Sequence, residues 1–531
     1  MGLGRASAMI AAGTFTSRIT GLLRTVVLVV AINSFGQAPN AFGVANQLPN
    51  SIYMVISAGV LTGVIVPQVV RVSAQKDGGH DFLAKLLTLG ALIMGVVTLV
   101  ATLCAPLLIS LFANFGPAEH ALATQFAYWC IPQLFFYGMF ALLGEILNAR
   151  KMFAPYAWAP IVNNFVSIAG FILFIVLFGQ NRNTLEGWDT SMVITLAGTA
   201  TLGVVAQTVV LVFFWRRAGI PLKFDFRWRG MGLGHMGKLA TWTLLTTLIG
   251  QAVGIVQSRT ITTASTASGE YASVAASQYA WLVYMLPYSM IILAIGTPYF
   301  TRISEHSAAK RHTELRADVG QSIRILGLFT VIAVAAVTAA AVPASRVFTN
   351  SPAEAGAMAP VLIAYLVSLV PMGVLFIIQR TFYAYGDART PFVFTVVQGS
   401  LVLVLTLVVA ATTPIERLAA TVALVQSLSG IVQTIIAVVL LRRKIGPLGL
   451  GSTWWALTRF ILMAIPAGAA GWAVFMIAGG TEGWMLQGML QGILGAGAIA
   501  VVSVLVYVGL LALFRAPELT VAVDAVRRRR G

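Results

Sequence analysis

The 531-residue chain is 58% hydrophobic and 10% charged, with a mean hydropathy of +0.88. This excludes a soluble globular domain, in which about a quarter of residues carry charge, and leaves a polytopic membrane protein. The net charge of +17 does not indicate nucleic acid, because the cations fall mostly in loops on one side of the predicted spans.

Long apolar runs follow one another along the chain, continuous rather than alternating, so helices and not barrel strands are the spanning element. Fourteen spans, long enough with their flanks to cross a ~30 Å hydrocarbon layer, are predicted near residues 22, 54, 97, 133, 167, 203, 249, 287, 330, 369, 400, 429, 465 and 499. The fold class is all-α and polytopic. The opening "MGLGRASAMIAAGTFTSRITGLLR" continues as helix with no small-residue cleavage site, so the first span is expected to be retained.

That first span contains "SRITGLLRT", with Arg18 and Arg24 inside it. At about 1.5 Å per residue, neither easily reaches the inner interface, and an arginine at mid-membrane costs at least about 2.5–3.5 kcal/mol. Both should therefore face a polar cavity. The second span holds "NQLPN", with Asn46, Pro49 and Asn50, and the fifth holds "APIVNNFV", with Asn163 and Asn164. Buried amides line cavities or hydrogen-bond between helices, and helix packing is the plainer reading for these. Cys104 and Cys130 lie in apolar stretches, which predicts buried thiols rather than a disulfide, metal or redox pair.

Arg259, in "GIVQSRTITT", adds a cation on the seventh span. Among the 17 acidic residues only Glu145 falls within a span, near its cytoplasmic end beside Arg150, so internal counter-ions are lacking. For one arginine, snorkelling or pairing with carbonyls is the plain alternative. Three together predict an anionic ligand, and paired guanidinium donors suit phosphate. Pro49, Pro67, Pro132, Pro160, Pro287, Pro298 and Pro371 lie in or near spans, where kinks serve alternating access.

Counted from an inside N-terminus, the even loops carry Arg71, Lys76, Arg150, Lys151, the stretch Arg216 to Lys238, Arg302 to Arg316, Arg389 and Arg442 to Lys444. The odd loops carry only Arg182, Arg346 and Arg417. The positive-inside rule then puts both termini in the cytoplasm, where the closing "RRRR" meets anionic headgroups.

An internal repeat is expected. "VPQVVRVS" at Val66 is similar to "TPYFTRIS" at Thr297, an offset of 231, and "LNARKMFAP" at Leu147 to "YGDARTPF" at Tyr385, where Pro155 and Pro391 are offset by 236. Together they indicate a repeat of six spans, and an even repeat keeps the same orientation in the membrane. The expected organisation is a six-helix bundle over 1–217, a basic linker over 218–238, a second bundle over 239–444, two extra helices over 445–515 and a basic tail over 516–531.

Enzymatic signals are missing from the sequence: no Walker A motif, no zinc-type histidine pair and no aspartate-rich magnesium motif. The five histidines, His80, His120, His235, His306 and His312, are scattered in or beside loops.

"SRITGLLRT", "NAFGVANQLPN", "GVIVPQVVR", "EILNARKMFAP", "APIVNNFV" and "RTFYAYGDARTPF" resemble, in order from the first span to about the eleventh, the MurJ (MviN) family of lipid II flippases. The likeness is greatest to the high-GC Gram-positive branch. It implies the multidrug/oligosaccharidyl-lipid/polysaccharide exporter fold: two six-helix bundles around a cationic central cavity, and two C-terminal helices forming a groove for a lipid tail. The implied activity is alternating-access transfer of undecaprenyl-diphosphate-linked disaccharide pentapeptide to the outer leaflet of the cell membrane, for cell-wall synthesis. The family's first-span arginines match Arg18 and Arg24, and its "LPN" matches Leu48, Pro49 and Asn50.

The departures are specific. Asn40 replaces an acid, Tyr53 and Met54 fall on paired arginines, and Leu282 and Met285 replace an Arg and a Glu. Arg259 is expected to restore part of the lost positive charge. The substrate-binding set is thus Arg18, Arg24, Arg259, Asn46, Asn50, Asn163 and Asn164, with no metal and no cofactor. The energy source is left open between membrane potential and a sodium ion. Expected partners are lipid II, anionic membrane lipids and cell-wall synthesis proteins, with no nucleic acid and a monomeric state. The rivals are a flippase for another lipid-linked oligosaccharide, a multidrug exporter of the same superfamily, and a non-transporting cell-wall scaffold.

Overall fold

The computed structural model describes residues 3–58, 80–150, 152–217, 225–227, 237–266, 271–449 and 451–518. Every regular element among them is helical. Twelve helical stretches among the described residues are long and apolar enough to cross a membrane, and they coincide with twelve of the predicted spans. The second and seventh spans are also helices, Gln37–Ile56 and Gly237–Thr262, but they carry amides, hydroxyls and an arginine along their length. Helices this polar do not face lipid all round; their place is beside a polar space.

The chain forms two compact units, Met1–Gly269 and Glu270–Gly531. The first contains α1 (Leu3–Ile32), α2 (Gln37–Ile56), α3 (His80–Leu103), α4 (Ala105–Phe112), α5 (Pro117–Cys130), α6 (Gln133–Ala149), α7 (Phe153–Phe178), α8 (Thr199–Arg217) and α9 (Gly237–Thr262). α9, which the repeat places at the head of the second half, packs on α2 and α4 of the first unit. Its last turn is tied there: Arg259 donates to the Ser110 carbonyl at 2.6 Å, and the Asn114 amide donates to the Thr262 hydroxyl at 2.9 Å.

α1 lies along α7 because small residues let the two backbones approach. A Cβ at Gly13 would stand 2.8 Å from the Trp158 ring nitrogen, and one at Gly21 would touch Asn164. α7 meets α8 in the same way, through Gly170 and Gly203. Pro132 breaks the fourth span into α5 and α6, since proline has no N–H to continue the ladder. The carbonyl of Trp129 at this break accepts the Thr201 hydroxyl of α8 at 2.6 Å, so the exposed backbone group is satisfied inside the bundle.

The second unit contains α10 (Val274–Pro287), α11 (Ala294–Ala308), α12 (His312–Ala339), α13 (Ala341–Arg346), α14 (Pro352–Leu366), α15 (Leu369–Ala384), α16 (Arg389–Thr412), α17 (Ile415–Ile445), α18 (Gly451–Ile477) and α19 (Met489–Leu513). A π-helical turn, Tyr288–Leu293, follows Pro287 and joins α10 to α11. Pro49, Pro160 and Pro298 are carried inside continuous helices, and Pro371 sits in the first turn of α15. α12 packs against α11, α15, α18 and α19. Arg346, counted in the sequence as a loop charge, is buried: it donates to the carbonyls of Leu486 and Thr349 and so ties α13 to the turn before α19.

The second repeat match has a structural counterpart. Pro155 and Pro391 are each the third residue of a helix, α7 and α16, that follows a short turn after α6 and α15. "TPYFTRIS" lies in α11. Its partner "VPQVVRVS", Pro67, most of the 218–238 linker and the tail beyond 518 lie outside the described residues. Cys130 is buried as expected, whereas Cys104 is only half-buried because it sits at the junction of α3 and α4.

Candidate substrate-binding site

Arg18 and Arg24 stand at mid-length of α1, roughly 9 and 18 Å from Ala12, where its apolar stretch begins. Arg18 is exposed and Arg24 half-buried. The charge of Arg24 acts on Tyr137 of α6, so the two groups share one region of the unit. The Tyr137 ring lies 6.0 Å from Tyr53 of α2. Tyr53 in turn stands within electrostatic reach of Glu145, four residues from the end of α6. Helices α1, α2 and α6 thus present a continuous row of polar and aromatic groups that begins at a cation and ends at a carboxylate.

Behind this row the structure places a buried amide that sequence reasoning missed. Gln133, 1% exposed, donates to Asn46 (3.2 Å) and Thr201 (3.0 Å) and accepts from the Tyr137 hydroxyl (3.1 Å). Its signal was local: a glutamine directly after a mid-span proline. Fully used hydrogen bonds fix the Gln133 side chain, and through it the orientation of Tyr137 and Asn46.

The four predicted amides separate into two kinds. Asn164 donates to the Ser17 carbonyl at 3.0 Å and the Thr20 hydroxyl at 2.9 Å, which locks α7 to α1 on either side of Arg18 in sequence. Asn163 accepts from Ser167 at 3.2 Å and presses against Gly203 of α8. Both are buried and serve helix packing. Asn46 belongs to the Gln133 network, and Asn50, one turn further along α2, is exposed. Arg259 is not at mid-depth: it stands three residues from the end of α9, held on the Ser110 carbonyl. The structure therefore groups Arg24, Tyr137, Asn46 and Tyr53, and puts Arg259 at the helix terminus.

The family profile described as "Lipid II flippase MurJ" matches residues 29–495. The chain belongs to the MurJ family. Among its relatives, a probable lipid II flippase MurJ of Synechocystis sp. is 24% identical, covering 99% of this chain and 97% of the relative. One of Rhizobium meliloti is 23% identical over 74% and 73%. Among solved structures, a lipid II flippase MurJ in an inward closed conformation superposes with a TM-score of 0.71 at 20% identity, covering 93% of this chain and 98% of the other. An inward-facing MATE transporter of the MOP superfamily follows with 0.65 at 17% identity, over 82% and 96%. At these identities the two structures establish the fold.

The second unit supplies a different surface for a MurJ protein. A cavity of about 670 Å³ lies against α12, α15 and α18, bordered by Val331, Ala335, Val367, Ile461, Gly468 and Trp472. No charged side chain lines it. The resemblance led to the expectation of a groove formed by the two C-terminal helices. Only α18 contributes here, because α19 packs behind it on α12, α13 and α18, and the remaining walls come from the bundle.

Proposed function

We propose that this chain moves lipid II, the undecaprenyl-diphosphate-linked peptidoglycan precursor, from the inner to the outer leaflet of the bacterial plasma membrane by alternating access. Membership of the MurJ family supports the substrate class. The observation that carries the reading is a pair of guanidinium groups, Arg18 and Arg24, at mid-length of a membrane-spanning helix, with Arg24 acting on Tyr137 of the Gln133–Tyr137–Asn46 network.

Arg18 and Arg24 are assigned to the diphosphate, where planar paired donors match the phosphate oxygens. Asn50, exposed one turn from Asn46, is assigned to the polar headgroup. The apolar cavity beside α18 suits the prenyl tail, since it offers hydrocarbon walls and no charge. Arg259, at the end of α9 that both termini-inside topology places outward, is assigned to the headgroup as it leaves, rather than to the resting diphosphate site.

Depletion of the protein, followed by a leaflet-specific assay for lipid II, tests the reading. Lipid II is expected to accumulate on the inner leaflet and to return outward with the parent chain, while Arg18→Ala and Arg24→Ala each restore less than about a tenth of the rate, the loss of one charge-assisted contact or more. Normal outward exposure in depleted cells refutes the flippase assignment and favours a scaffold. Transport of cationic drugs with lipid II unaffected would favour the exporter.

A further inference from the structure

Glu145 is an acidic side chain that the diphosphate site leaves unexplained. It is half-buried on α6 and enters no ion pair among the described residues. A carboxylate withdrawn from water without a cation is unfavourable, so such groups are ordinarily paired or hydrogen-bonded. The surroundings are aromatic. Tyr53 and Tyr156 both lie within electrostatic reach of the carboxylate. Tyr156 sits where a Cβ on the adjacent Gly144 would be, 2.2 Å from its ring, so glycine is what lets the ring lie against α6. Phe140 stacks on Tyr156 at 5.0 Å and 19°, which fixes that ring, and the Tyr53 hydroxyl is held by Ser57.

A carboxylate with tyrosine side chains close by suits an organic cation: the carboxylate supplies the charge, and an aromatic neighbour adds attraction for a cation that has shed part of its hydration shell. A divalent metal needs several oxygen ligands, and no group of three or more acidic, histidine or cysteine side chains is placed to hold one among the described residues. The position relative to the arginines narrows the ligand further. Glu145 lies eight residues beyond Tyr137 on α6, about 12 Å along the helix, so the cation at one end of the row and the carboxylate at the other are well separated. A peptide of three extended residues covers about 10 Å.

We propose that Glu145, with Tyr53 and Tyr156 nearby, is a subsite for a primary ammonium group carried by the peptide of the transported headgroup. This inference rests on the lipid II reading. The row of groups from Arg24 to Glu145 then recognises a dipolar ligand, phosphate at one end and ammonium at the other, and sets the orientation in which the headgroup enters. It also gives the site a way to reject lipid diphosphates whose headgroup carries no amine.

Binding of two lipid II preparations to the purified full chain tests it, one with a free side-chain amine in the peptide and one with that amine acetylated. Acetylation should weaken binding to the parent about tenfold, the loss expected for one partly buried charge-assisted contact. On Glu145→Gln, monodisperse and melting like the parent, acetylation should make no further difference. Arg24→Ala should weaken both preparations by the same factor. Equal binding of the two preparations to the parent overturns the subsite, and needs no variant to fold. An equal loss on parent and Glu145→Gln places the amine elsewhere and also overturns it. If neither preparation binds the parent, the lipid II reading itself falls, which is distinct from loss of the subsite alone.

Discussion

Asp387, in the turn between α15 and α16, shows how one side chain closes a helix end outside the membrane. Its carboxylate accepts from the Thr390 amide at 3.0 Å and the Thr390 hydroxyl at 2.9 Å, and it pairs with Lys444 at the end of α17. The first two bonds satisfy donors at the start of α16, and the negative charge suits that end of the helix. Burial by itself would raise its pKa, but the hydrogen bonds from Lys444 and Thr390 outweigh it and hold the carboxyl below the ordinary aspartate value of 3.8. A depressed folded-state pKa means that the stabilisation is present above the ordinary value and is lost as pH falls through the folded one. Asp387→Asn should therefore lower stability at neutral pH by about 1 kcal/mol or less, since the pair is part-exposed. Thermal melting of parent and variant in detergent checks this, and their difference should shrink once pH drops below the ordinary aspartate range. At this scale the sequence was informative where a residue type contradicts its surroundings. Arg18 and Arg24 stand out because charge in an apolar run is costly wherever the helix points. Gln133 and Arg346 stood out less, because their roles are fixed by a partner far along the chain: Thr201 for one and the Leu486 carbonyl for the other.

Spanning helices were legible as elements, since length and apolarity alone define a hydrocarbon-crossing segment. Their interruptions were harder to read. Of the seven prolines flagged, Pro132 splits a span and Pro287 precedes a π turn, yet Pro49 and Pro160 sit in continuous helices. The difference lies in neighbouring helices, which satisfy or fail to satisfy the freed backbone groups, and no local pattern reports that. Close helix pairs depend instead on glycines whose role only packing reveals. A Cβ at Gly203 would meet the Asn163 amide oxygen at 2.4 Å, the Ser167 hydroxyl at 2.5 Å and the Asn163 carbonyl at 2.8 Å. The last is backbone and cannot rotate aside. Gly203→Ala should accordingly push α8 from α7 and destabilise the protein by about 1–3 kcal/mol. Gly95 in α3 provides the contrast, because nothing lies within 4 Å of its added Cβ. Gly95→Ala should be neutral or stabilising by up to about 1 kcal/mol, the ordinary gain of replacing helical glycine. Denaturant midpoints in one detergent compare the two; equal losses at both positions would refute the packing argument.

At the scale of the whole molecule, polarity is divided between the two units. The first carries the mid-span arginines, the Gln133 network and Glu145, and the second carries the uncharged cavity beside α18. Composition showed the cations early, but an apolar cavity leaves no compositional mark in a chain that is apolar nearly everywhere. Only the resemblance pointed to a tail groove, and of the two C-terminal helices it named, α18 borders this cavity. If headgroup and tail are bound by these separate surfaces, their contributions should be separable by experiment. Gly468 lines the cavity with Ala335 at 3.4 Å from its added Cβ, so a phenylalanine there would fill space that a tail needs. Gly468→Phe should raise the apparent KM several-fold for a substrate with a full-length prenyl tail and leave a short-tailed analogue nearly unchanged. Arg24→Ala should impair both substrates alike, because the diphosphate is common to them. Combined in one chain, the two changes should multiply for the long-tailed substrate, as expected for sites without shared partners. Reconstituted vesicles carrying the single and double variants give the measurement. A loss on Gly468→Phe that is the same for long and short tails would mean that the cavity does not hold the tail, and the variant acts through the packing of α18 on α12.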